Sequence, residues 1–173
     1  MRALVVYESL FGNTLTVARA VAEGVARHLK TETVEAGNAP TVLGDDVALL
    51  VAGGPTHAFG LSRQSTRASA VEQGATGASE TGLREWLDAL APGSAAAATF
   101  DTRVRRPRVP GSAANAAERR LRGKGYVVVR PAETFWVGGT PGPLLPGEVE
   151  RARAWGASVA AAATAAGVVG GVR

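Results

Sequence analysis

Ser9, Gly12, Asn13 and Thr14 stand close together near the start of the chain, directly after the apolar run Ala3–Tyr7. Two hydroxyls, an amide and a glycine in a short loop, followed by an amphipathic segment, suit the binding of an anion. A loop between a strand and the start of a helix aims backbone N–H groups and the positive end of the helix dipole at one spot. The hydroxyls add O–H donors, and Gly12 lets the backbone approach closely. No Lys or Arg lies between residues 3 and 18, so uncharged groups would hold a phosphate there. The same residues also suit a plain β–α turn capped by Ser9 or Asn13.

Two later clusters carry polar groups of the same kind. In Gly54-Pro55-Thr56-His57-Ala58-Phe59-Gly60, turn N–H groups offer donors, and His57 or Phe59 offers a flat face for stacking. Phe59 would equally serve as a core anchor, and His57 as an ordinary turn residue. In Thr99-Phe100-Asp101-Thr102-Arg103, an acid and a base follow an alanine run, and Arg105, Arg106 and Arg108 come next.

Composition removes several chemistries. The 173 residues contain no cysteine, which excludes disulfides, thiolate catalysis and thiolate-held zinc or iron–sulfur centres. His28 and His57 are the only histidines, too few for a histidine-rich metal site. Net charge is +4, carried by arginine, since Lys30 and Lys124 are the only lysines. Such a surface steers acidic partners towards it. Nucleic acid is one acidic partner, but no recognised binding motif is present. The first strand is not followed by G-x-G-x-x-G, and G-x-x-x-x-G-K-[ST] is missing, which argues against a dinucleotide fold and a P-loop. Glu8 lacks the acidic neighbours a phosphoryl-accepting aspartate site needs. Ser9, His57 and Asp101 lack the G-x-S-x-G elbow of a hydrolase. The apolar run after Arg2 is too short for a signal peptide, and no segment has membrane length, so a cytoplasmic protein is expected.

The elements that must position these residues follow from periodicity. Ala3–Tyr7 and Val47–Ala52 are unbroken apolar runs, the pattern of central parallel strands, and Gly53-Gly54-Pro55 reads as the end of the second. Leu15, Ala18, Ala22, Val25 and Leu29 form one stripe of a helix over 14–30. Residues 31–36 read as an edge strand and 37–46 as a loop with at most one helical turn around Val42. Residues 62–73 suit a short helix inside a long polar segment, with 74–79 mobile. Helices are expected over 82–90, 112–123 with Ser112 as N-cap, and 148–166. Strands are expected over 95–100 and 126–130, with residues 132–147 extending the second and then breaking. Residues 101–111 read as a basic loop and 167–173 as a frayed tail. The alternation implies one α/β domain: a doubly wound five-stranded parallel sheet in the order 2-1-3-4-5 with helices on both faces.

The first loop also resembles a family pattern. Aliphatic, aliphatic, aromatic, x, Ser/Thr, x, x, Gly, x, Thr is the signature of flavodoxins, and Val5, Val6, Tyr7, Glu8, Ser9, Leu10, Phe11, Gly12, Asn13 and Thr14 match it throughout. The resemblance implies that Ser9–Thr14 wraps the 5′-phosphate of FMN. It implies that Pro55, Thr56, His57, Phe59 and Gly60 lie against the flavin ring, and that Thr99, Phe100, Asp101 and Arg103 meet its pyrimidine edge. The third loop departs from the family: the tyrosine common there is missing, and arginines replace the usual acidic residues. The expected function is an FMN electron carrier serving redox partner proteins with acidic docking faces, as a monomer or weak homodimer. The alternatives are an NAD(P)H-dependent FMN or quinone reductase of the same fold and a domain that has lost FMN. Nearby guanidinium groups are expected to make the flavin's potential less negative than in acidic flavodoxins.

Overall fold

A computed structural model describes residues 1–167; the tail expected to fray falls, after Gly167, outside the described residues. Strands β1 (Arg2–Tyr7), β2 (Lys30–Glu35), β3 (Val47–Pro55), β4 (Ala96–Val104), β5 (Val127–Val128) and β6 (Glu133–Val137) form one parallel sheet. The helices are α1 (Asn13–Val25), α2 (Gln64–Glu72), α3 (Leu83–Ala89), α4 (Ala113–Gly123) and α5 (Glu148–Ala165). The order is β2-β1-β3-β4-β5, with β6 also paired to β4. This is the expected doubly wound arrangement, the flavodoxin-like fold.

The fifth strand is split in two. Val127 and Val128 pair with Ala96 and Ala97, and Glu133–Val137 then pair with Phe100–Val104. Four residues thus span, on this edge, what Ala98 and Thr99 span on β4. Pro131 has no N–H for the ladder, and the N–H of Ala132 goes instead to Glu118 Oε2 at 2.9 Å. Only two residues of the strand expected over 126–130 keep strand form for this reason.

Two apolar layers flank the sheet. On one face α1 and α5 cover Val5, Val51 and Ala98, and Phe100, Phe135 and Trp155 meet edge to face with centroids 6.0–6.1 Å apart. Helices α1 and α5 nearly touch: a Cβ on Gly24 would lie 2.1 Å from Arg153 O, and one on Gly156 would lie 2.2 Å from Val21 O. On the other face α3 and α4 bring Leu83, Trp86, Leu87 and Leu121 against Leu4, Leu50 and Ala97.

Other boundaries also differ from expectation. Helix α1 stops at Val25, where His28 and Leu29 both donate to Val25 O, so that β2 can begin opposite Arg2. The helical turn expected near Val42 falls at Ala36–Asn38. Strand β3 runs through the Gly-Gly pair to Pro55. A Cβ on Gly53 would lie 2.1 Å from the Phe100 ring, so glycine makes room for a core aromatic instead of breaking the strand. Among the described residues, no helix is long and apolar enough to cross a membrane.

Candidate functional site

The first loop sits where β1 hands over to α1. Gly12 takes φ +92°, a left-handed conformation that favours glycine, and its carbonyl accepts the N–H of Thr16 at 3.1 Å, starting the helix. Ser9 Oγ accepts the N–H of Leu15 at 3.1 Å, which leaves its own proton free to donate. Among the described residues, the N–H groups of Leu10, Phe11, Gly12, Asn13 and Thr14 have no acceptor in the chain. Five consecutive free donors at a helix N-terminus form a concave positive nest. Ser9 therefore acts in part as the capping residue of an ordinary turn, while the backbone beside it keeps its donors for an anion.

The nest is braced from behind. Glu8 is buried and accepts Ser62 Oγ at 2.5 Å and the N–H of Leu83 at 2.7 Å. Arg67, also buried, donates to Ser62 Oγ at 2.9 Å and pairs with Glu85 at 3.1 Å. The segment read as mobile over 74–79 packs down instead: Ala75 and Ala70 enclose Leu10, and the N–H of Gly77 reaches Leu10 O at 3.2 Å. A Cβ on Gly77 would lie 2.1 Å from Ser9 O, so only glycine lets the chain cross the loop this closely.

A cavity of about 290 Å³ opens beside the nest at the carboxyl ends of the strands. Leu10, Phe11, Asn13 and Thr14 form one end, Pro55, Thr56, His57 and Ala58 one wall, and Thr102, Arg103 and Val104 the other. Gln73, Val137 and Thr140 complete it. The loops after β1 and β3 thus converge with the carboxyl end of β4, as the topology requires of a site at a switch point.

Several expected site residues lie elsewhere. Strand β4 continues to Val104, three residues past the expected loop start, so Thr99, Phe100 and Asp101 are interior. The Thr99 hydroxyl donates to Ala114 O, and Phe100 belongs to the aromatic core. Asp101 is fully enclosed because Thr56, Ser112 and Thr134 hydroxyls and the N–H of Ala114 all donate to it, at 2.6–3.1 Å. Its carboxylate ties β4 to three neighbouring segments and leaves nothing for a ligand. Phe59 and Gly60 lie beyond the cavity, with Phe59 exposed at the tip of the turn. Thr102, Val104, Val137, Thr140 and Gln73 escape sequence reasoning because their placement depends on where paired strands and a helix end.

The electrostatics suit an anion. Among the described residues, no acidic side chain lines the cavity. Burial pushes His57 below its ordinary value, against the opposing pull of Glu8, so the imidazole is neutral near pH 7. Arg103 lies over the Trp136 ring at 5.8 Å and donates to Gly111 O at 2.6 Å and to Val109 O, folding the basic loop back along the wall.

No family model matches the chain, and no curated protein matches it. Solved structures do. A flavodoxin from the domain Archaea is 16% identical, with 95% of this chain and 99% of that chain covered and a TM-score of 0.65. Flavodoxin 1 from Bacillus cereus is 16% identical over 92% of this chain and 97% of that chain, with a TM-score of 0.67. A flavodoxin, WrbA-like protein from Agrobacterium tumefaciens is 19% identical over 95% and 98%, with a TM-score of 0.57. At these identities the likeness is one of fold.

Proposed function

We propose that the chain binds FMN without a covalent link and carries electrons between redox proteins. The observation that carries this reading is the run of free N–H groups from Leu10 to Thr14 opening onto a cavity free of acidic side chains. The FMN phosphate would be held by these donors with the Ser9 and Thr14 hydroxyls. The flavin ring would lie between residues 55–58 and residues 102–104, with Phe11, Val137 and Thr140 screening it from water. Bound there, the flavin accepts and returns one or two electrons. The protein positions it, excludes solvent from its inner edge and leaves an outer edge accessible to a partner.

A reductase of the same fold would have to seat a nicotinamide or quinone over the flavin, and the response of the loaded protein to NADPH separates the two readings.

The test is a titration of apoprotein with FMN and with riboflavin, followed by flavin fluorescence. The phosphate nest predicts a clear preference for FMN. Equal affinity, or none for either, would remove the phosphate loop from the reading. Mixing the loaded protein with NADPH alone should leave the flavin oxidised; rapid bleaching would favour the reductase instead.

A further inference from the structure

Beyond the cavity, on the side of His57 away from the nest, the chain presents an aromatic knob in a basic surround. His57 and Gly60 exchange backbone hydrogen bonds at 2.8 and 3.1 Å, which leaves Ala58 and Phe59 as the two central residues of a tight turn. Both take positive φ, +42° and +75°, in the region that favours glycine. The turn carries a phenyl ring that is 61% exposed, although the neighbouring Leu61 is buried. The turn's backbone packs against Gly111, where a Cβ would lie 1.9 Å from Phe59 O, but the phenyl ring itself stays mostly in water.

A hollow lies on each side of the ring. One is lined by Arg103, Arg108, Asn115 and Arg119, the other by Arg63, Thr66, Arg84, Arg119 and Arg120. Among the described residues, no acidic side chain lines either. Arg103 is spent on backbone carbonyls and Arg120 on Asp88 at 2.9 Å. Arg84 is likewise spent on backbone carbonyls, Ser62 O at 3.0 Å and Leu61 O at 2.7 Å, whereas among the described residues Arg63, Arg108 and Arg119 have no carboxylate partner. Arg84 is held below its ordinary value, first by burial and then by the like charges of Arg120 and Arg63. His57 and Ala58 line both the Arg63 hollow and the proposed flavin cavity, so the two are contiguous.

We infer that this face is the docking surface for an acidic redox protein, with Phe59 as the apolar anchor and the flanking arginines as its charged surround. The inference rests on the flavin reading and names the partner that reading needs. Aromatic residues and arginine dominate the energetics of protein interfaces, and anchors sit centrally inside a rim that excludes water. Cations spread over two hollows around a convex ring fit the carboxylates of a protein face. A small phosphate ligand would instead need its donors gathered into one concave site. Docking here would bring the partner's centre to the exposed edge of the flavin.

Cytochrome c and its succinylated form, the same fold with lysines converted to carboxylates, serve as opposite-charge probes. Electron transfer from the reduced FMN-loaded protein is followed by stopped flow. At about 0.01 M salt the succinylated probe should react at least ~10-fold faster than the native one. The advantage should shrink at about 0.1 M salt, as the Debye length falls from ~30 Å to ~10 Å. Arg63→Glu with Arg119→Glu should abolish or reverse the preference, and Phe59→Ala should slow the succinylated probe several-fold. FMN affinity should be unchanged in each variant, since none of these residues lines the cavity. A faster native probe, or a preference untouched by the variants, would overturn the inference. So would competition by micromolar NADPH for the same arginines. Binding of the succinylated probe to the flavin-free chain is measured separately. Retained, Phe59-dependent binding by a chain that takes no FMN would condemn the flavin reading alone. Absent binding, with FMN taken up normally, would condemn the docking surface alone.

Discussion

The Thr14 and Thr102 hydroxyls lie 2.7 Å apart in a buried contact that joins the first loop to the end of β4. One of the two protons is used between them, and the other remains to donate into the cavity. A dianionic phosphate at the nest would receive it as a charge-assisted bond worth about 1.5–3 kcal/mol. Thr14→Val should therefore weaken FMN binding by about 10- to 100-fold. Thr102→Val should have a smaller effect, because Thr14 can still donate, and the double variant should lose less than the sum. Riboflavin affinity should be nearly unchanged throughout. A parallel loss for riboflavin in a fluorescence titration would assign the pair to packing and not to phosphate.

The contrast between these two threonines shows what the sequence makes readable. Thr14 belongs to a contiguous strand–loop–helix pattern whose chemistry is written in adjacent residues, as do Leu10, Phe11 and Asn13. Residues 55–57 follow an apolar run in the same way. Thr102 faces the cavity only because β4 extends to Val104, and that extension depends on pairing with β3 and β6. Asp101 looks in sequence like a loop acid at a strand end, and it is interior because Thr56, Ser112 and Thr134 happen to surround it. The topology was readable because each apolar run is long and unalternating. The split of the fifth strand rests on Pro131 and Glu118, which meet only in three dimensions.

The α1–α5 contact sets a prediction on stability. Gly156 lies so close to Val21 that a methyl group would come within 2.2 Å of Val21 O and 3.0 Å of its Cα. Gly156→Ala must push the helices apart, and overpacking of this kind costs about 1–3 kcal/mol. For a chain of this length that corresponds to a melting temperature lower by about 3–10 °C. FMN stoichiometry at low temperature should be retained, because Val21 lies about two turns along α1 from the nest. An unchanged melting temperature by calorimetry would mean that the helices are not packed this closely.

Glu148, at the start of α5, sets the expected response to acid. It accepts the N–H of Trp136 at 2.7 Å and two bonds from Arg151, at 3.0 and 2.7 Å. Burial alone would raise its pKa, but the bonds from Arg151 and the Trp136 N–H prevail and hold it below the ordinary carboxylate value. A carboxyl with a depressed folded-state pKa adds stability that is present above its unfolded value, about 4.3, and is lost as pH falls through the folded value. The urea midpoint should therefore drop as pH falls below about 4.5. Glu148→Gln should lower the midpoint at neutral pH and flatten this acid limb. An acid limb of the same steepness in the variant would place the responsible carboxylate elsewhere.

Arg103 should tune the flavin. It lines the cavity, no acidic side chain lines the cavity opposite it, and the reduced flavin gains negative charge. A guanidinium about 8 Å from the ring, at an effective dielectric near 20, stabilises that charge by about 2 kcal/mol, or roughly 90 mV per electron before screening. Arg103→Gln should make the potential more negative by tens of millivolts. The substitution also releases the bonds to Gly111 O and Val109 O, so charge and loop anchoring must be separated. Arg103→Lys keeps the charge and loses the forked geometry. If charge is the cause, the lysine variant stays near the parent potential while glutamine shifts. If anchoring is the cause, both shift together. Arg108→Gln, on a side chain that does not line the cavity, should move the potential less than either. Redox titration of the three variants at low and high salt distinguishes these outcomes, because only the charge effect shrinks as salt is added.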